Sequence, residues 1–95
     1  MVSDELGRRI AAELPCWRLD GEELVASWSF ADFAGALAAA VAVGMIAERA
    51  GHHPDLVVGW GRLTARLTTH DAGGVTARDL DLAAAIEARI GAPAA

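Results

Sequence analysis

The feature that most constrains the fold of this chain is a run of fifteen residues, Phe33 to Ala47, without a charged side chain. The run predicts a helix from Ala31 to Ala50, which Gly51 would end in a left-handed conformation. A helix that is apolar on every side must be covered on every side. The run is shorter than the roughly twenty residues that cross a bilayer, so we expect no membrane span. One face should pack on a sheet and the other on another subunit, giving a homodimer or homotetramer.

The composition and charge of the 95 residues limit the classes of protein to which the chain can belong. The chain is long enough for one domain, 1–95, and a hydrophobic fraction of 54% excludes intrinsic disorder. Eight basic residues, all of them arginine, stand against thirteen acidic residues, and the net charge is −5. Because binding to phosphates needs clustered basic side chains, we expect no nucleic-acid partner and no anionic membrane surface. The single cysteine and an acidic start without a signal-peptide pattern indicate a cytoplasmic protein.

Periodicity predicts three helices and four strands. Apolar residues at every fourth position mark a helix from Ser3 to Leu14, with Ser3 as its cap. Capping-box spacing begins the long helix at Ser29 and Asp32 and the last helix at Thr76 and Asp79. Alternating or β-rich segments predict strands over 16–19, 24–30, 55–60 and 62–69. The element order α-β-β-α-β-β-α indicates an α+β fold, a four-stranded antiparallel sheet with three helices on one face.

Three histidines are the candidate proton carriers of the chain. His52 and His53 follow the long helix, and His70 follows the fourth strand. Loops at the ends of elements are where a rigid scaffold presents catalytic groups. Imidazole titrates near neutral pH and can serve as an acid or a base. Together with nearby acids such as Glu48 and Asp79, the histidines could form an acid–base site.

Plainer interpretations of the same residues stay open. Adjacent loop histidines are often ordinary polar residues, and three histidines could hold zinc, although no HExxH spacing is present. An acid at the third helical position, such as Asp79, also stabilises the start of a helix. The three tryptophans are most simply core and sheet residues, although a tryptophan at a pocket lip would stack on a flat ring.

The spacing of these residues is specific. From Glu48 to Asp79 the sequence reads E-x3-H-H-P-x5-W-x9-H-x8-D, where x is any residue. The motif resembles the signature of the pterin-4a-carbinolamine dehydratases, an acid, His-His-Pro, an aromatic residue, a further histidine and an aspartate. The flanking segments F-A-D-F at 30–33, L-T-T-H at 67–70 and G-V-T-A-R-D at 74–79 match that family too. The resemblance covers nearly the whole chain.

The resemblance implies both a fold and a reaction. The family fold is a four-stranded antiparallel sheet with three helices, in agreement with the element order above. Family members dehydrate a 4a-hydroxytetrahydropterin to the quinonoid dihydropterin, which recycles the cofactor of aromatic amino-acid hydroxylases. They use no metal or cofactor of their own. Two alternatives remain: a non-enzymatic coactivator or assembly protein on the same scaffold, or a pterin enzyme with another substrate.

The resemblance also implies roles for individual residues. The catalytic residues would be His52, His53 and His70, with the first and last as the acid–base pair and His53 orienting the pterin. Asp79 or Glu48 would orient an imidazole by accepting its other N–H. The residues expected to bind substrate are the three histidines together with Trp17, Gly51, Pro54, Thr68, Thr69 and Asp71.

Overall fold

The computed structural model of the chain describes residues 2–94, so both terminal residues of the predicted domain 1–95 lie outside it. Three helices and four strands follow one another in the predicted order. They are α1 (Asp4–Glu13), β1 (Arg18–Asp20), β2 (Glu23–Ser29), α2 (Phe33–Ala50), β3 (Asp55–Gly59), β4 (Arg62–Leu67) and α3 (Ala77–Ile90). A short 3-10 turn, His70–Ala72, precedes α3. The α+β prediction is confirmed.

The helix ends follow from local side-chain chemistry. The Ser3 hydroxyl accepts the N–H of Leu6 and begins α1. Thr76 and Asp79 form the predicted capping box of α3. Gly51 ends α2 with a φ of 67°, in the left-handed region that glycine adopts without strain. These three ends were predicted correctly.

The start of α2 differs from its prediction. The carboxylate of Asp32 accepts the N–H of Gly35 at 2.8 Å, so Asp32 is the cap and the helix begins at Phe33 instead of Ala31. Ser29 remains the last residue of β2. The next residue, Phe30, donates its N–H to the carbonyl of Gly61, which holds the chain against the β3–β4 turn and delays the helix.

The sheet is antiparallel throughout, with the strand order β1-β2-β4-β3. Each half of the chain therefore contributes a hairpin followed by a helix, and the second strands of the two hairpins meet in the centre. At this central pairing Ser27 lies opposite Thr64. The first strand occupies 18–20 instead of 16–19, and the third ends at Gly59 because Trp60 and Gly61 form the turn. The fourth ends at Leu67 instead of Thr69, which makes a single bridge to Gly74.

The core lies between the sheet and the helices. Helix α2 packs on β3 and β4, α3 packs on α2, and α1 packs on α3. The alternate residues of the two central strands that face this layer are all buried: Leu24, Ala26, Trp28, Leu63, Ala65 and Leu67. The end of α2, the end of β4 and the start of α3 converge at one end of the molecule, where His52 and Thr69 both contact Asp79.

Helix α2 has one covered side and one open side. In length and composition it would suffice to cross a membrane, but five of its residues are buried within the fold: Ala36, Ala39, Ala40, Val43 and Ala47. Its open side carries an apolar stripe, here called the α2 stripe, with side chains 45–66% exposed: Phe33, Leu37, Val41 and Met45. A spacing of four residues places them on one helical face. The described chain therefore covers the inner side of this apolar helix and leaves the α2 stripe exposed.

Candidate active site

The three histidines meet at the end of the molecule where α2, β4 and α3 converge. They line one cavity of about 240 Å³, here called the histidine cavity. Its lining residues are Gly51, His52, His53, Thr68, Thr69, His70, Asp71 and Arg78. Seven of these eight are residues that the sequence predicted for the site. Segments far apart in the chain, 51–53 and 68–71, are thus brought together.

His52 is held by a buried carboxylate. Its Nε2 lies 2.5 Å from Oδ1 of Asp79, whose side chain is fully buried. The other oxygen, Oδ2, accepts the hydroxyl of Thr69 and the backbone N–H of Thr76, both at 2.8 Å. Because burial of a polar group is costly unless it is hydrogen-bonded, these donors offset the cost of burying the carboxylate of Asp79.

The two threonines form a directed chain of hydrogen bonds behind Asp79. The hydroxyl oxygens of Thr69 and Thr76 are 2.7 Å apart. Since Thr69 donates its only hydroxyl proton to Asp79, the hydroxyl of Thr76 must be the donor between them. The side chain of Thr69 is therefore turned inward, where it supports the carboxylate.

This arrangement leaves one nitrogen of His52 for chemistry. Asp79 can only accept, so Nε2 of His52 carries a proton and donates it to the carboxylate. Within residues 2–94 the side chain of His52 makes no further hydrogen bond, and no buried side-chain nitrogen lacks a partner. Nδ1 is therefore accessible, and its ring lines the histidine cavity. In the neutral ring it bears a lone pair and can accept a proton.

His53 has an exposed partner. Its Nε2 lies 2.8 Å from Oε1 of Glu48, one turn earlier on α2. Both side chains are largely exposed, so the pair is screened by water and holds the ring only loosely. Glu48 therefore pairs with His53, whereas Asp79 pairs with His52.

His70 is exposed and lies between two cavities. It begins the 3-10 turn, and its side chain has no hydrogen-bond partner within the described part of the chain. Besides the histidine cavity it lines a second one of about 370 Å³, here called the acidic cavity, together with Asp20, Glu22, Glu23, Thr68, Gly73 and Gly74. The acidic cavity is larger, but it holds only one imidazole. An unpartnered ring at this position can exchange protons with water.

Charged groups near the acidic cavity neutralise one another in part. Arg66 donates to Asp20 at 3.0 Å and to Glu23 at 3.1 Å. The hydrogen bonds to Asp20 and then Glu23 hold the pKa of Arg66 above its ordinary value, against the effect of burial. Among the residues described, no cluster of three or more His, Cys, Asp or Glu side chains is placed to hold a metal ion.

Two predicted site residues lie outside the histidine cavity. Trp17 is 4% exposed and donates its indole N–H to Glu87 at 2.7 Å. Its ring packs edge-on against Trp28, with 5.5 Å between ring centres. The predicted substrate residue Trp17 therefore lies in the core, away from the histidine cavity, and its indole N–H is bonded within the protein. Pro54 follows His53 but does not line the cavity.

Trp60 and Arg78 also differ from expectation. Trp60, interpreted as a core or sheet residue, is 76% exposed at the β3–β4 turn. Arg78, which lies inside the matching motif but received no role, lines the cavity and donates to the carbonyl of Gly51 at 3.1 Å. No local pattern could reveal this contact, since the two residues are 27 positions apart.

Comparisons with known proteins agree with this geometry. A family model described as pterin 4 alpha carbinolamine dehydratase matches residues 1–89. A protein of Natronomonas pharaonis that carries this enzyme name provisionally is 47% identical over 86% of this chain and 91% of its own. A similarly named protein of Thermosynechococcus vestitus is 48% identical over 79% of each chain.

Solved structures share the fold. The crystal structure of a transcriptional coactivator/pterin dehydratase from Brucella melitensis matches with a TM-score of 0.82 and 28% identity, covering 92% of this chain and 95% of that one. A pterin dehydratase-like protein identified as a RuBisCO assembly factor in the alpha-carboxysome matches with a TM-score of 0.67 over 80% of this chain and 90% of that one. At 24% identity the second likeness concerns the fold alone. By its sequence and its fold, the chain belongs to the pterin 4 alpha carbinolamine dehydratase family.

Proposed function

We propose that this protein is a 4a-hydroxytetrahydropterin dehydratase that works by histidine acid–base catalysis. The observation that carries the proposal is one cavity with two differently held imidazoles, His52 fixed by Asp79 and His70 free. The reaction removes a proton from the ring nitrogen beside the carbinolamine carbon and breaks the carbon–oxygen bond. A carbon–nitrogen double bond forms and water leaves, so no oxidant or reductant is needed.

His52 is the base and His70 the acid in this proposal. The open Nδ1 of His52 takes the proton from the ring nitrogen, and Asp79 stabilises the imidazolium that forms. His70 delivers a proton to the departing hydroxyl and regains one from water, to which it is exposed.

The remaining cavity residues bind and orient the pterin. His53, flexible and exposed, contacts one edge of the ring. Asp71 offers its carboxylate to the heterocycle, whereas the hydroxyl protons of Thr68 and Thr69 go to the carbonyl of Glu22 and to Asp79. Gly51, whose carbonyl and N–H are both bonded within the protein, contributes a surface without a side chain. Pro54 restricts the backbone of His53 and so contributes indirectly.

Substitution of the histidines tests this proposal. His52→Ala and His70→Ala should each lower dehydratase turnover by about tenfold or more, because each general acid or base contributes about 10²–10⁴-fold. His53→Ala should mainly raise KM. The measurement is steady-state dehydration of a 4a-hydroxytetrahydropterin, with far-UV circular dichroism to verify folding. Native turnover in both His52→Ala and His70→Ala would contradict the proposal.

The α2 stripe supports a second part of the proposal. A contiguous apolar surface on a small protein marks an interaction site. Because the stripe lies along one helix, it can pack against the same stripe of a second copy in a symmetric contact. We therefore propose a homodimer or homotetramer joined through α2, in a cytoplasmic protein that recycles the tetrahydropterin of aromatic amino-acid hydroxylases.

The same stripe favours a second candidate function, a non-enzymatic interaction protein of the coactivator or assembly kind. A turnover assay separates the two functions, since an interaction protein would show no dehydration while still binding its partner. A pterin enzyme with another substrate would bind members of a pterin panel but leave the 4a-hydroxy compound unchanged.

A further inference from the structure

Arg78 connects the two segments that hold the histidine cavity together. It is the second residue of α3, between the capping residue Thr76 and the buried Asp79. Its guanidinium crosses to the end of α2 and donates to the carbonyl of Gly51. Within residues 2–94 it forms no ion pair, so most of its N–H donors are uncommitted.

The Arg78–Gly51 hydrogen bond runs beside the His52–Asp79 hydrogen bond. Gly51 directly precedes His52, and Arg78 directly precedes Asp79. Two consecutive residues of one segment are therefore bound to two consecutive residues of the other, once through a backbone carbonyl and once through an imidazole. A paired contact of this kind restrains rotation as well as distance, which a single hydrogen bond does not.

The electrostatics of the contact are favourable. The C-terminal end of a helix carries partial negative charge on its free carbonyl groups, and a cation there is stabilising. Gly51 caps this end of α2. The guanidinium is planar and always charged, so it holds a fixed geometry at every pH at which the enzyme works.

Arg78 and His52 also separate two cavities. Besides the histidine cavity, both residues line a cavity of about 220 Å³ between the end of α2 and α3, together with Ala50, Asp81, Leu82 and Ala85. Residues shared by two adjacent cavities form the wall between them. Loss of the Arg78 side chain would join the cavities and let His52 move toward the second one.

We propose that Arg78 is a positioning residue that holds the Gly51–His52 turn against the first turn of α3, so that the imidazole of His52 stays bonded to Asp79 at the wall of the histidine cavity. The inference rests on the proposed dehydration, in which His52 acts as the base. Arg78 stabilises the alignment of the base without contacting the reacting atoms. Removal of a positioning residue slows the chemical step, whereas removal of a residue whose free N–H groups bind the substrate raises KM, so the two roles are distinguishable.

Three variants and two measurements test this role. Arg78→Ala should lower kcat by about tenfold with KM changed by less than about twofold, since a small misplacement of a catalytic group is costly. Arg78→Lys keeps the charge and the reach and should recover most of that loss. Arg89→Ala, on the exposed last turn of the same helix, is the matched control and should behave as the wild type.

The second measurement needs no turnover. Nitrogen-15 NMR of the substrate-free protein should show His52 with Nε2 protonated and Nδ1 bare, and Arg78→Ala should shift it to a mixture of tautomers. An unchanged kcat, or a raised KM with kcat intact, would overturn the positioning role, and so would an unchanged tautomer in a folded Arg78→Ala protein. Absence of dehydration in the wild type would instead refute the proposed function, while the tautomer measurement would still decide the role of Arg78.

Discussion

At the scale of single residues, the carboxylate of Asp79 is the group on which the most other contacts depend. It accepts from an imidazole, a hydroxyl and a backbone N–H while fully buried. The same side chain completes the capping box of α3. A residue that caps a helix and orients a base links the folding of α3 to the chemistry of His52.

Asp79→Asn should lower turnover by roughly 10²-fold, because the wrong tautomer of a catalytic histidine is strongly inactivating. The amide would present N–H groups to Nε2 of His52, which would move the ring proton to Nδ1. Steady-state turnover and imidazole nitrogen-15 shifts would measure the change. Asp81→Asn, an exposed acid on the same helix, is the control. Wild-type turnover in a folded Asp79→Asn protein would contradict this prediction.

What the sequence could predict at this scale depended on residue type and spacing. The imidazoles of the three histidines and the carboxylate of Asp79 are candidate acid–base groups in any fold, and their spacing matched a family motif. Trp17 and Arg78 could not be assigned in the same way, because an indole suits a core and a pocket equally. The location of each side chain depends on a hydrogen-bond partner far away in the sequence. Trp17 bonds to Glu87, 70 positions away, and Arg78 bonds to Gly51, 27 positions away.

At the scale of elements, helix ends were predicted better than strand ends. An N-terminal cap is a contact between residues two or three positions apart, so Thr76 and Asp79 are sufficient to begin α3. The end of a strand depends on its neighbour across the sheet. Thr69 continues the alternating pattern of β4, yet it pairs with Gly74 because the chain turns there to bring His70 to the cavity.

Two cap substitutions should separate stability from activity. Thr76→Ala and Ser3→Ala should each cost about 1 kcal/mol of unfolding free energy, which is usual for an N-cap. Only Thr76→Ala should also reduce turnover, because its hydroxyl supports Thr69 and so Asp79. Urea unfolding and turnover of both variants provide the comparison. Equal loss of turnover in Ser3→Ala would show that the activity follows stability alone.

Helix α1 offers a prediction of pH dependence. Arg9 donates to both carboxylate oxygens of Glu13, one turn later. The hydrogen bond from Arg9 lowers the pKa of Glu13 below its ordinary value. A lowered pKa in the folded state means that the stabilisation is present above the unfolded pKa and is lost as pH falls through the folded one.

Carbon-13 NMR titration should therefore find the carboxyl pKa of Glu13 below that of an ordinary glutamate. Arg9→Ala should return the Glu13 pKa to its ordinary range. Arg8→Ala, on the neighbouring exposed position, is the control and should leave it lowered. A Glu13 pKa that is the same with and without Arg9 would contradict the assignment.

At the scale of the whole molecule, apolar surface is distributed unevenly. The sheet and the inner sides of the helices form a closed core, whereas the α2 stripe faces outward. The uncharged run in the sequence predicted that this helix needs cover on both sides. A single copy of the chain supplies one of them, and the proposed oligomer supplies the other.

Val41→Glu should prevent association through α2, because it places a charge in the middle of the stripe, where the side chain is 58% exposed. Sedimentation velocity at micromolar concentration should show an oligomer for the wild type and a 9.8 kDa monomer for the variant. Val57→Glu, on an exposed valine of β3, is the control and should stay assembled. A monomeric wild type would contradict the proposed association.

The central pairing of β2 with β4 also has a consequence for how the chain folds. Each hairpin closes within a few residues, but Ser27 and Thr64, which pair in the centre of the sheet, are 37 positions apart in the chain. The chain loses conformational entropy when the loop between them closes, and it does so before the central contacts can compensate. Neither hairpin-and-helix half can bury its apolar side without the other. We therefore expect the two halves to fold and unfold together, with the joining of β2 to β4 setting the rate.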